Sequence, residues 1–106
     1  MNAKKEFLEL IKENKVKCAI VTNGYSYDYE EDVETCRKYL LKKDYSTVQF
    51  NEFTTSLDFN YDNGFGGQEL YGKVWFEDGS WAERGEYDGS EWWEHKELPL
   101  IPKELE

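Results

Sequence analysis

The sequence predicts an α+β fold: two helices packed on an antiparallel sheet whose C-terminal four strands form a meander. Three observations point there. Apolar residues recur at helical spacing over residues 3–14 and 29–43 and alternate beyond Asp44. The alternating part is punctuated by Asp78-Gly79 and Asp88-Gly89, both hairpin-turn dipeptides. Aromatic residues make up 17% of the 106 positions, too many for a disordered chain and enough for the modest core of one domain.

The elements follow in order. Residues 3–14 read as a helix capped by Asn2, with Phe7, Leu8, Leu10 and Ile11 on one stripe and Lys12 and Lys15 near its end. Residues 16–22 read as a strand in which Val16, Cys18 and Ile20 alternate with Lys17, Ala19 and Val21. Asn23-Gly24 is a turn that either closes a hairpin onto residues 25–29 or leads to the next helix. That helix is expected over residues 29–43, with Asp28 and Glu31 as a capping box and Val33, Cys36 and Leu40 on one face. Residues 46–61 read as a long strand whose parity switches near Asn51, as at a bulge. Strands at 69–77, 80–87 and 91–97 complete the meander, and the Pro99-Leu100-Ile101-Pro102 tail is extended. The whole is one domain: a helical part at 1–44, an acidic aromatic part at 45–98 and a tail at 99–106.

Charge divides along the same line. Residues 1–44 hold 9 acids and 9 bases; residues 45–106 hold 14 acids, 4 bases, all four Trp and 13 of the 18 aromatics. The net charge of −10 therefore belongs to the second part and argues against direct nucleic-acid binding, which needs Lys and Arg to displace counterions. No apolar run is long enough for a membrane helix, and the first residues interleave charges with apolar groups as a signal peptide does not. Two Cys without a secretory signal imply a reducing, cytoplasmic compartment, with Cys18 and Cys36 as buried thiols rather than a disulfide.

Chemistry-bearing motifs are few. Asp58-x-Asn60-x-Asp62, with Glu69 at position twelve, has the ligand spacing of a calcium loop. Its Gly comes one residue late, and its flanks alternate like strands, so a solvated strand end is the better reading. One His and two Cys without a CxxC spacing fall short of a zinc site. Carboxylates are so abundant that a catalytic pair such as Glu83 with Glu94 carries little information. No catalytic residue, metal or other cofactor is assigned.

The meander holds the remaining signal. A three-residue first turn pairs Trp75 with Trp81 and Lys73 with Glu83, whereas a two-residue turn would oppose Lys73 to Arg84. Because strand side chains alternate, Trp92 and Trp93 point to opposite faces, as do Trp75 and Phe76. Two helices cover only one face; the other is covered by the tail and long side-chain stems, or by a partner. Arg84 can stack on a Trp, and Gly72 and Gly85 can lie beneath an aromatic. The residues expected to touch a partner are Trp75, Trp81, Glu83, Arg84, Glu86, Asp88, Glu91, Trp93 and Glu94. The partner expected for them is a basic protein that handles nucleic acid, with the carboxylates standing in for phosphates. A homodimer through the sheet is a second arrangement. A peptide or small-ligand module using the Trp-rich face and a small carboxylate-based enzyme are the alternative functions.

Residues 72–93, GKVWFEDGSWAERGEYDGSEWW, with the following Pro99-x-Ile101-Pro102-x-x-Leu105, resemble the small acidic hypothetical proteins of tailed bacteriophages. The resemblance covers about a third of the chain and carries no functional residue. It implies a context, since such proteins are often inhibitors of host enzymes, transcription or defence systems.

Overall fold

A computed structural model describes residues 1–24, 37–61, 64, 68–87 and 90–105. In chain order they form α1 (Ala3–Leu10), β1 (Val16–Asn23), β2 (Arg37–Leu41), α2 (Thr47–Ser56), β3 (Leu70–Phe76), β4 (Trp81–Tyr87), β5 (Ser90–Lys96) and a short 3₁₀ turn (Lys103–Leu105). The five strands make one antiparallel sheet in the order β2-β1-β3-β4-β5, so the C-terminal strands form a meander. Among the described residues, no helix is long and apolar enough to cross a membrane.

Two expected elements are corrected. Residues 46–61 are not the first strand of the meander, which therefore has three strands; they contain α2 instead. Ser46 accepts a hydrogen bond from the Gln49 N–H, and the Gln49 side chain accepts one from the Ser46 N–H, a complete capping box. Phe50, Phe53, Thr54 and Leu57 follow at helical spacing, and the apparent parity switch at Asn51 is that spacing read with the wrong period. Residues 37–41, expected at the end of the second helix, are β2, paired with β1 from Ala19↔Leu41 to Asn23↔Arg37. Tertiary pairing overrides their helical pattern. The rest of that expected helix, its Asp28 cap and any hairpin over 25–29 lie outside the described residues.

The first helix is shorter than expected but capped as expected, the Asn2 side chain accepting from the Lys5 N–H at 3.0 Å. In β1 the register slips between Val16 and Cys18, so Val16, Ala19 and Val21 face the core while Cys18 and Ile20 face away. The β3–β4 register is the expected one, Lys73↔Glu83 and Trp75↔Trp81. Gly79, at φ 90°, supplies the left-handed residue that this three-residue turn requires. The Asp88-Gly89 turn lies outside the described residues, but the strands it joins pair Tyr87 with Ser90.

Both helices lie on one face of the sheet. Phe7 of α1 meets Phe53 of α2 edge to face, and with Leu57 they pack on Val21, Leu41, Leu70, Val74, Phe76 and Ala82. The start of the chain is tied to the segment after α2: the Met1 ammonium donates to the Tyr61 carbonyl, Tyr61 N–H to the Met1 carbonyl, and Ala3 N–H to the Phe59 carbonyl. Asn2 Nδ2 donates to Asp58 Oδ1 at 3.0 Å and Asn60 Oδ1 at 3.3 Å. Two of the oxygens spaced like calcium ligands thus serve a local amide, and no group of acidic, His or Cys residues among those described is arranged to hold a metal. Asp62 lies outside the described residues.

Candidate functional site

Strand alternation and the observed registers place Leu40, Ile20, Tyr71, Lys73, Trp75, Trp81, Glu83, Trp92, Glu94 and Lys96 on the face away from the helices. Leu40 is 55% exposed, Trp75 40% and Trp92 38%. The C-terminal tail does not cover this face, because Leu98, Leu100, Ile101 and Leu105 are themselves 69–94% exposed. Long stems cover it only in part: Lys73 Nζ lies 5.7 Å from the centre of the Trp75 ring.

Charged side chains brace the aromatics of this face. Trp81 Nε1 donates to Glu83 Oε1, and Trp92 Nε1 to Glu94 Oε1, both at 3.0 Å. Lys73 pairs with Glu83 at 3.3 Å, and Lys96 spans Glu83 and Glu94 at 3.7 and 3.9 Å. The hydrogen bond from Lys73, and then the nearby Lys96 charge, hold the Glu83 carboxyl below its ordinary pKa. Each carboxylate of the opposed Glu83–Glu94 pair thus braces an indole N–H and faces a lysine. Gly85 lies under this lattice: an added Cβ would stand 2.5 Å from Glu94 Oε1 and 2.9 Å from Trp92 Nε1.

Three residues expected at the partner surface lie on the helix-covered face instead. Arg84 and Glu91 have side chains 2% and 0% exposed. Arg84 Nη2 donates to Glu91 Oε1 at 2.6 Å and to the Tyr61 hydroxyl at 2.9 Å, while Nη1 lies 3.0 Å from Glu6 Oε1. The Tyr61 hydroxyl donates to Glu6 Oε1 in turn. The N–H groups of Glu69 and Leu70 fill the remaining lone pairs of Glu91, at 2.6 and 2.9 Å. The guanidinium does stack on a Trp, with its carbon 5.1 Å from the Trp93 ring centre and 5.7 Å from that of Tyr61. The far edge of Trp93 reaches Gly72, where an added Cβ would be 3.1 Å from the ring and 2.4 Å from the Ile20 carbonyl oxygen. Burial works to lower the Arg84 pKa, but the Glu6 charge and the Glu91 hydrogen bond outweigh it and raise it. Burial, then the hydrogen bond to Glu6, pushes the Tyr61 phenol well above its ordinary range. Glu6 and Tyr61 carried no sequence signal for this role; only the docking of α1 reveals it.

Of the other expected contacts, Glu86 is exposed near the end of β4, and Asp88 lies outside the described residues. One Asp–Ser–His chain was not foreseen. Ser80 donates both its N–H and its hydroxyl to Asp78 Oδ1, and His95 Nε2 lies 2.9 Å from Ser80 Oγ. These hydrogen bonds from Ser80 lower the Asp78 pKa. His95 Nε2 shares the Ser80 hydroxyl with Asp78, so the three side chains form one hydrogen-bonded chain across the turn. The chain closes the β3–β4 turn. Cys18 is a half-buried free thiol, and Cys36 lies outside the described residues.

No family model matches the chain, and no curated protein or solved structure matches it.

Proposed function

We propose that this is a non-enzymatic binding protein that docks the open face of its sheet on a protein partner, with Trp75, Trp81 and Trp92 at the centre of the footprint. One observation carries the reading: among the described residues neither the helices nor the tail covers that face, and its exposed aromatics are braced in place by Glu83, Glu94, Lys73 and Lys96. Aromatic anchors whose rotamers are fixed before binding lose little entropy when a partner arrives. The footprint centres on these aromatics rather than on a track of carboxylates, and Arg84, Glu91 and Trp93 support it from the helix-covered face.

The partner proposed is basic. The net charge of −10 steers such a surface inward, and Glu77, Asp78, Glu86 and Glu97 are exposed around the ends of the meander strands. A host protein that handles nucleic acid, met in the cytoplasm by a phage-type inhibitor, is the form of this reading that the resemblance of residues 72–93 favours. A peptide or small ligand on the same Trp-rich face is the second reading, favoured by the local balance of Lys and Glu there.

The test is capture from a bacterial lysate at about 50 and 200 mM salt, by the wild-type chain and by Trp75→Ser/Trp81→Ser. Capture that weakens steeply with salt and is lost in the variant supports the basic partner. Capture insensitive to salt and lost in the variant supports the second reading. Equal capture by both chains overturns the sheet face as the site.

A further inference from the structure

A second apolar surface lies at the sheet edge. A groove of about 420 Å³ runs between α1 and β5, lined by Met1, Leu10 and Trp93, by Trp92, which it shares with the open face, and by charged residues of α1. Its size is within the range of ligand clefts, about 300–1,000 Å³. The strand beside it is an edge strand, paired only with β4 among the described residues, so its outer backbone groups can accept another extended segment.

The same chain carries a segment that fits. Leu98, Leu100, Ile101 and Leu105 leave the body after β5 and are 69–94% exposed. Pro99 and Pro102 fix the backbone on either side of Leu100 and Ile101, which keeps the pair extended before any docking and lowers the ordering entropy. Lys103 and Glu104 leave the segment without net charge, so it meets no net repulsion in a groove where Lys5, Glu6 and Glu9 make the lining negative.

The segment stands outside its own groove, with its four apolar side chains left 69–94% exposed. A tight turn with Pro99 and Leu100 at its corner would pair Leu98 with Ile101 and bring Leu105 back only as far as Glu94. Leu100 and Ile101 would then stay about 16 Å along the strand from Trp93, at roughly 3.3 Å per residue. We infer that this groove receives the Leu98–Leu105 segment of a second copy of the chain, the two copies exchanging segments reciprocally about a two-fold axis. Reciprocal exchange closes the assembly at a dimer.

Sedimentation equilibrium between about 5 and 500 µM chain tests this, in low and high salt. The expected result is a monomer–dimer equilibrium strengthened by salt, because each copy carries −10. That is opposite to the salt effect expected for a basic partner, so the two readings fail separately. Leu100→Ser/Ile101→Ser alters only exposed side chains and leaves the Trp75 face intact; it should be monomeric throughout with an unchanged Tm. A peptide of residues 97–105 added to this full-length variant should produce a saturable shift in tryptophan emission. A wild-type chain that stays monomeric, a dimer that survives the double substitution, or a peptide without effect on emission would overturn the inference.

Discussion

Gly72 and Gly85 each lie under a tryptophan, but what a methyl group would strike differs. At Gly72 it meets the Ile20 carbonyl oxygen at 2.4 Å, backbone of the central strand pair. At Gly85 it meets the end of Glu94, a flexible side chain on the open face. Gly72→Ala should therefore destabilise by about 3 kcal/mol, as an overpacked core position does, and Gly85→Ala by about 1 kcal/mol, the worth of the displaced Trp92–Glu94 hydrogen bond. Urea denaturation gives both values, and the reverse order would refute the distinction. Glu91 is a sharper case. It receives Arg84 and two backbone N–H groups, so Glu91→Gln leaves Arg84 with one buried anion where it had two and removes an acceptor. A loss of about 3–5 kcal/mol is expected, read as a lower urea midpoint at unchanged slope.

The capping box sets where α2 begins. Ser46→Ala should cost about 1 kcal/mol, measured as a fall in Tm, while substitution of the exposed Val48 should change little. The box also shows what was legible in the sequence. The α+β class, the Asn2 cap, β1, the three meander strands and the Trp75↔Trp81 register were all readable, because each rests on local pattern or turn chemistry. For α2 the local signals conflicted. Thr, Val and Phe are strand formers and masked a helical spacing that Ser46 and Gln49 had announced. For β2 the deciding force was non-local: residues 37–41 complete the sheet by pairing with β1. The site was legible as a set of aromatics, but not in its division between faces, since that depended on whether Arg84, Glu91 and Trp93 lay beneath the helices or on the opposite side.

At the scale of the whole molecule, charge and pH act through two unlike groups of residues. The folded-state pKa of Tyr61 is raised above the ordinary value of 10.0, so the stability it contributes is complete below that pH and is lost as pH rises through the folded value. Asp78 and Glu83 are shifted downward, so their contribution is present above the ordinary carboxylate range and lost as pH falls. These two lie at the surface, where solvent screens the acid-side effect to a small one. The chain should hold its Tm near neutrality and lose it on the alkaline side. In a spectroscopic titration one tyrosine should ionise after the others, and Tyr61→Phe should remove that late step.

The tie between the first residues and the segment after α2 bears on how the protein is made. Met1 and Tyr61 exchange hydrogen bonds across 60 positions, and Glu6 waits for Arg84, which in turn needs Glu91 from the last strand. A ribosome delivers α1 first, yet its charged residue finds its partner only when nearly all of the sheet has emerged. Folding during synthesis should therefore come late and all at once. A nascent chain arrested with β4 exposed but β5 still sequestered should be degraded by protease, and release of β5 should confer resistance. Stepwise protection growing from α1 onward would contradict this order.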